Sequence, residues 1–149
     1  MHATKKINMC RYIEPEVAGG LGRKTIMDTN TYPPIVKTLN YEFNGWLGDD
    51  ILESFPCFII SERLKKAIKK NNLTGINFDN VIITKSREFI DLYPDKILPN
   101  FQWAKISGKM YFDDFIIGKD YRLIISDRAF QILNSFNLKN ASFENLEER

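Results

Sequence analysis

The stretch Phe58-Ile59-Ile60-Ser61-Glu62-Arg63 opens a pattern that the chain contains twice. The second copy opens with Leu123-Ile124-Ile125-Ser126-Asp127-Arg128. The copies span residues 58–81 and 123–146 and align without a gap, so that Phe78 corresponds to Phe143. We therefore expect a single domain, residues 1–149, that contains an internal repeat.

Each copy predicts a strand, a helix and a second strand. The opening run is short, continuously apolar and rich in β-branched residues, which is typical of a strand buried on both faces. Ser61 and Ser126 follow at once and suit helix N-caps, because a serine oxygen can accept a hydrogen bond from an amide of the first turn. Asn72 and Asn137 stand where a helix commonly ends in a left-handed residue, which asparagine tolerates.

Composition indicates a globular domain outside the membrane. The chain has 149 residues, of which 44% are hydrophobic and 13% aromatic, and a net charge of +2 argues against a dedicated nucleic-acid binder. Cys10 and Cys57 are the only cysteines, and their spacing supports neither a zinc site nor a disulfide framework. The sequence contains neither the apolar stretch of a signal peptide nor a run of transmembrane length. We therefore expect a cytoplasmic protein with reduced thiols and no membrane partner.

Outside the repeat, the pattern predicts further strands and one short helix. The expected strands are residues 6–13, 35–43, 101–106 and 110–112, the last two joined as a hairpin by Ser107-Gly108-Lys109, and residues 81–84 prolong the second strand of the first copy. Residues 85–93 predict a short helical turn. Residues 17–25 resemble a phosphate loop, but Arg23 separates Gly22 from Lys24, so the Walker spacing fails and we expect a turned surface loop.

Catalytic machinery is hard to assemble from this sequence. The only histidine is His2, near the terminus, so neither a Cys–His nor a Ser–His arrangement has a base. We therefore predict that the chain is not an enzyme and uses no cofactor. The remaining candidates are two acidic pairs, Asp49-Asp50 and Asp113-Asp114, each of which precedes a repeat. Converging carboxylates would bind Mg²⁺ or Ca²⁺ or act as acid and base; the more common role of such pairs is to form turns and caps.

Other side chains are candidates for surface or structural roles. Trp46, in a turn that leads into Asp49-Asp50, suits an aromatic anchor rimmed by acids at a protein interface. Trp103 lies in an alternating strand and is expected in the core. Arg63 and Arg128 are expected to brace their own helix starts or a nearby carboxylate. The lysines of the first helix are expected to form a solvated face, with binding of phosphate or nucleic acid as the alternative: Lys65, Lys66, Lys69 and Lys70.

The chain resembles a known group of proteins over nearly its whole length. Residues 16–22, 33–36, 41–50, 55–62 and 72–75, together with 98–99, 113–115 and 123–126, resemble a group of small bacterial proteins of largely uncharacterised role. The element Ile-Ile-Ser-Glu, a helix, Leu-Thr-Gly and Phe is similar to one in immunity proteins of bacterial polymorphic-toxin and contact-dependent inhibition systems. The resemblance implies a cytoplasmic protein that is not an enzyme and that binds one cognate toxin domain.

These observations lead to one expected architecture and two expected functions. We expect an α+β fold whose mixed, largely antiparallel sheet carries two equivalent helices, with the two repeats packed as pseudo-symmetric halves. The leading hypothesis is an immunity protein that neutralises a cognate protein toxin domain, with Trp46 and the two acidic pairs as the candidate partner-binding residues. The alternative is a small metal-dependent enzyme or ligand-binding module that uses Asp49/Asp50 and Asp113/Asp114.

Overall fold

A computed structural model describes residues 10–146 of the chain. Its elements in chain order are β1 (Cys10–Glu14), β2 (Gly19–Leu21), β3 (Ile26–Asp28), β4 (Ile35–Thr38), β5 (Asn40–Phe43), β6 (Ile51–Ser54), β7 (Cys57–Ser61), α1 (Glu62–Lys70), β8 (Ile76–Asp79), β9 (Ile82–Lys85), α2 (Arg87–Leu92), β10 (Phe101–Ile106), β11 (Phe115–Ile117), β12 (Leu123–Ser126), α3 (Asp127–Leu133) and β13 (Ser142–Asn145). The first part of the strand predicted from residue 6, and His2, lie outside the described residues. No helix in the described range is long and apolar enough to cross a membrane.

The strands form several separate sheets. Two sheets have four strands each, in the orders β6-β7-β10-β8 and β11-β12-β1-β13, and every pair in them is antiparallel. A three-stranded sheet, β2-β5-β9, contains a parallel pair between β5 and β9, and β3 pairs with β4. The prediction of an α+β chain with mostly antiparallel strands is confirmed. The expected single sheet is wrong, because the two repeats contribute to different sheets.

In each repeat, a strand from a remote part of the chain separates the two strands of the unit. Strand β10 lies between β7 and β8, and β1 lies between β12 and β13. In the first sheet Ala104 is paired with both Phe58 and Phe78, and in the second Ile13 is paired with Leu123 and Phe143. Both edges of β10 are therefore occupied, which leaves no edge for residues 110–112. The predicted hairpin of β10 with those residues is wrong, and they lie in a turn.

The helices of the repeats begin as predicted and end differently. Ser61 accepts a hydrogen bond from the Leu64 amide at the start of α1, and Ser126 caps α3 in the same way, so both predicted N-caps are confirmed. Asn72 has the predicted positive φ of 52°. The same prediction for Asn137 is wrong, because α3 already ends at Leu133 and Asn137 lies further along the loop.

The three helices pack into two apolar cores. Leu64 and Ile68 of α1 and Leu133 of α3 are buried in one core together with Ile60 and Ile125, so the helices lie against both four-stranded sheets. The second core contains buried residues of the first and third sheets, of α2 and of the β4–β5 connection: Leu39, Tyr41, Phe43, Leu52, Ile59, Phe89, Phe101 and Trp103. The predicted burial of Trp103 is confirmed.

Three local predictions need correction. The strand predicted over residues 35–43 is two strands, because the chain breaks at Leu39 and β5 continues in a different sheet. Residues 82–85 do not prolong β8 but form β9, parallel to β5. The loop expected at residues 17–25 contains strand β2, and Gly19 lies so close to β5 that a Cβ atom there would overlap the Glu42 carbonyl. The predicted short helix at residues 85–93 is confirmed as α2.

Candidate functional site

The loop that carries Trp46 is held by hydrogen bonds on both of its sides. The buried Glu16 carboxylate accepts from the amides of Leu47 (2.7 Å) and Asp49 (3.3 Å). The Trp46 indole donates from Nε1 to the Asp49 carbonyl at 3.0 Å. Burial raises the pKa of Glu16, and the two amide donors oppose that shift. The loop is therefore fixed by the chain that precedes β2, a contact that the sequence analysis did not anticipate.

Trp46 lies half-buried at the edge of an exposed group of side chains. Its ring packs edge-on against Phe101 at 6.0 Å between centroids, and the Lys96 ammonium donates to the Trp46 carbonyl at 2.8 Å. The same ammonium stands 5.2 Å from the centroid of Tyr93. Leu47 is 71% exposed and Ile97 is 87% exposed. We define the Trp46 surface as Trp46, Leu47, Tyr93, Lys96 and Ile97.

Asp49 is fully buried and does not rim this surface. Its carboxylate accepts from the backbone amide of Asn140 and from the Asn140 side-chain amide, both at 2.9 Å. Asn140 follows α3, so the contact joins the Trp46 loop to the second repeat. The acid expected beside Trp46 is a structural carboxylate whose oxygens face the protein.

Asp50 is also buried, and its carboxylate gathers donors from both repeats. Ser61 donates from Oγ at 2.6 Å, and Arg63 donates from Nε at 2.8 Å and from Nη2 at 2.6 Å. The Asn137 amide, from the loop after α3, donates at 2.8 Å. Ser61 thus caps α1 and binds Asp50 at the same time, which explains why a serine and an arginine stand two residues apart at this helix start.

Asp114 occupies the corresponding place before the second repeat. Its carboxylate accepts from Ser126 Oγ at 2.6 Å and from Arg128 Nη2 at 2.8 Å. The Thr74 amide, from the loop after α1, donates at 2.8 Å. In each repeat, the loop after the helix therefore donates a backbone amide to the buried aspartate that precedes the other repeat. The prediction that both arginines brace a nearby carboxylate is confirmed. Asp113, by contrast, is half-buried and accepts from the Lys109 amide.

The hydrogen bonds to the two buried aspartates favour the charged form of each carboxyl. Burial by itself raises the pKa of each carboxyl, but the hydrogen bonds from Arg63 and Ser61 hold the pKa of Asp50 below its ordinary value. Those from Arg128 and Ser126 do the same for Asp114. A metal ion would have to displace these donors. Between residues 10 and 146, no group of three or more His, Cys, Asp or Glu side chains is placed to hold a metal ion.

The structure brings only some of the predicted site residues together. Trp46 and Asp50 line one open cleft of about 600 Å³, whose other walls include Arg63, Lys66 and Ile97. Asp113 and Asp114 do not line that cleft. The lysines of α1 behave as expected of a solvated face: Lys66, Lys69 and Lys70 are exposed, and the half-buried Lys65 donates to Gln102 at 3.0 Å.

A second surface feature was missed by the sequence analysis. The rings of Tyr32, Phe55 and Tyr121 form a mutually packed group on the surface, with centroid separations of 5.5–6.3 Å. Phe55 and Tyr121 also line a cleft with Glu53. The available signal was the occurrence of two aromatic–proline pairs, Tyr32-Pro33 and Phe55-Pro56, but nothing local links either pair to Tyr121.

Comparisons with known proteins do not assign a family to this site. No protein-family model matches the chain. No curated protein matches it either.

Proposed function

We propose that this chain is a non-enzymatic immunity protein that binds one cognate bacterial toxin domain in the cytoplasm. The proposal rests on the resemblance to that group of residues 16–22, 33–36, 41–50, 55–62 and 72–75, together with 98–99, 113–115 and 123–126. The single structural observation that supports it is the Trp46 surface, where Leu47 and Ile97 expose apolar side chains beside a half-buried tryptophan. Aromatic anchors beside exposed apolar groups are the side chains that contribute most to protein interfaces.

The buried acids favour binding over catalysis in this proposal. Asp49, Asp50 and Asp114 direct their oxygens at amide, hydroxyl and guanidinium donors within the fold. A general acid or base must reach a substrate proton, and a metal ligand needs a free oxygen. These carboxylates are occupied, so we assign them to holding the loops in place and leave recognition to the Trp46 surface.

We further propose that the two repeats pack as pseudo-symmetric halves. Support comes from the matching strand orders β6-β7-β10-β8 and β11-β12-β1-β13 and from the matching Asp–Ser–Arg groups. In this arrangement β1 takes the place in one half that β10 takes in the other. The exchanged loop contacts, Asn137 to Asp50 and Thr74 to Asp114, join the halves.

The function is tested by capture followed by neutralisation. The tagged chain is used as bait in its native cell, and each captured protein is then expressed alone and together with the chain. The proposal expects a stoichiometric partner whose expression stops growth and whose toxicity is removed by co-expression of the chain. Capture of partners with no toxicity, or toxicity that the chain does not relieve, contradicts the proposal.

The surface is tested by a matched pair of variants. Leu47→Ala combined with Ile97→Ala should weaken the complex by at least about tenfold, because the two changes truncate the most exposed apolar side chains of the Trp46 surface. Ile26→Ala, which truncates an equally apolar residue that is 58% exposed on β3, should leave affinity unchanged. Equal affinities for all three proteins, measured by calorimetry, would reject the Trp46 surface as the interface.

A further inference from the structure

A cleft on a different part of the surface combines aromatic walls with a carboxylate. It has a volume of about 260 Å³ and is lined by Glu53, Phe55, Trp103 and Tyr121, with Pro33 and Pro56 among the other lining residues. Tyr32 packs against the Phe55 and Tyr121 rings and is 72% exposed. We name this feature the Glu53 cleft. The rings that line the cleft, those of Phe55, Trp103 and Tyr121, come from three separate segments of the chain. Tyr32 and Tyr121 lie in connections between strands.

The Glu53 carboxylate is not used by the fold. The Glu53 backbone pairs with β7 and with the chain at Glu16, and the Glu53 carbonyl accepts a hydrogen bond from the Tyr41 hydroxyl. Within residues 10–146, no hydrogen bond or ion pair reaches its side-chain oxygens, in contrast to the buried Asp49, Asp50 and Asp114. Burial raises the pKa of Glu53, and the negative charge of Glu14 adds to that effect. A positive charge in the cleft would stabilise the ionised Glu53 carboxylate and so oppose both effects.

One cation already lies against an aromatic face at this cleft. The Lys105 ammonium stands 4.3 Å from the Trp103 ring centroid and forms an ion pair with Asp79 at 2.9 Å. Its charge is therefore directed to β8 and leaves Glu53 uncompensated. Lys105 therefore occupies the Trp103 ring, and the rings of Phe55 and Tyr121 are those left for a further cation, an interaction that contributes about 0.5–2 kcal/mol.

We propose that the Glu53 cleft receives an arginine side chain of a partner protein, with the guanidinium between the aromatic rings and the Glu53 carboxylate. The volume of about 260 Å³ suits one side chain, since it lies below the roughly 300–1,000 Å³ of pockets for cofactors or drug-sized ligands. A planar guanidinium stacks on aromatic rings and pairs with a carboxylate through two parallel hydrogen bonds, which an ammonium cannot do. The inference rests on the proposed function in that it needs a protein partner. It gives that partner a second contact site in addition to the Trp46 surface.

The test uses a probe in place of the partner. The ¹⁵N-labelled chain is titrated with N-acetyl-arginine methylamide and, separately, with the isosteric neutral N-acetyl-citrulline methylamide. The arginine probe should shift the amide signals of Cys57, Lys105 and Tyr121 saturably, and the citrulline probe should not. Glu53→Gln should weaken arginine binding by about fivefold or more, because it removes the counter-charge and keeps the shape.

The matched control removes a carboxylate elsewhere. Glu88→Gln makes the same change of charge on exposed α2, outside the cleft, and should leave arginine binding unchanged. Equal binding of arginine and citrulline probes, or unaltered binding in a folded Glu53→Gln chain, overturns the assignment of the cleft. Tyr121→Leu, with folding checked by its melting temperature, provides an independent measurement and should also weaken the arginine probe.

The outcome separates this inference from the proposed function. Arginine binding at the cleft together with failure of toxin neutralisation would retain the cleft as an arginine site and reject the immunity role. Neutralisation that is intact in Glu53→Gln, together with no binding of the arginine probe to the unmutated chain, would reject the cleft and retain the immunity role.

Discussion

Asp114→Asn should destabilise the chain strongly, although it changes a single atom of the side chain. Asp114 is 1% exposed and receives hydrogen bonds from Ser126, Arg128 and Thr74. The amide keeps one acceptor oxygen and places an NH₂ group opposite existing donors, so at least one charge-assisted hydrogen bond is lost and one buried donor loses its partner. Such bonds contribute about 1.5–3 kcal/mol each, and an unsatisfied buried group costs about 1–3 kcal/mol.

We therefore expect a loss of about 3 kcal/mol in the free energy of unfolding, taking one lost bond at the middle of its range and a small penalty for the donor. For a chain of this length that loss lowers the melting temperature by about 6–12 °C. The assay is urea unfolding followed by circular dichroism, with the slope checked against wild type, and calorimetry for the melting temperature.

The neighbouring aspartate supplies the control. Asp113→Asn makes the same chemical change at a half-buried residue whose carboxylate accepts from the Lys109 amide, so its cost should stay under about 1 kcal/mol. Arg128→Gln should be costly as well, at about 3 kcal/mol, because it leaves the carboxylate of Asp114, 1% exposed, without its counter-charge although Ser126 and Thr74 continue to bind it. A cost below 1 kcal/mol for Asp114→Asn, or equal costs at both aspartates, would refute the reasoning.

Three further predictions follow from the same contacts. Gly75→Ala should lose about 2–3 kcal/mol in a urea melt, because Gly75 has φ +86° and an added Cβ would meet the Phe115 carbonyl, whereas Gly20→Ala, with nothing within 4 Å of that Cβ, should be neutral. The folded-state pKa of Asp114 lies below its ordinary 3.8, so the stability that it contributes is complete above about pH 5 and is lost as the pH falls through the lowered pKa. The urea midpoint of Asp114→Asn should therefore fall less than that of wild type between pH 5 and pH 2. Parallel curves of urea midpoint against pH for the two proteins would contradict this. Burial raises the pKa of Cys57 to about 12, so at pH 8 a disulfide reagent should modify it only as fast as the chain unfolds; immediate reaction in the folded state would contradict its burial.

Local features of the repeats could be read from the sequence because each depends on a few adjacent residues. The serine N-caps need only a serine before a helix, and the positive φ at Asn72 needs only a helix end. The bracing role of Arg63 was also predicted from its place beside the cap. The same local reasoning failed at Asn137, because α3 ends early and the Asn137 amide is turned towards Asp50, 87 residues away in sequence.

The sheet arrangement could not be read in this way. An apolar run specifies that a strand is buried but not which strand lies beside it, since pairing depends on packing against residues distant in sequence. Strand β1, which precedes both repeats in sequence, inserts into the second, and β10, which lies between the repeats in sequence, inserts into the first. The aromatic group around Tyr32 has the same origin, because its three rings lie in separate connections that the sheets bring together.

The sequence predicts the acidic pairs as partner-binding residues, and under the proposed function the buried position of Asp50 gives it a different role. Asp50 ties the end of the Trp46 loop to the second repeat through Asn137, whose side chain also donates to the Gly48 carbonyl at 3.0 Å. Glu16 and Lys96 hold the same loop from its other sides. A loop with its amides and carbonyls already bound loses little conformational entropy when a partner docks, and this preorganisation increases affinity without a direct contact. Under the proposed function, the buried carboxylates would therefore favour binding by fixing the exposed Leu47 and the half-buried Trp46 before a partner docks.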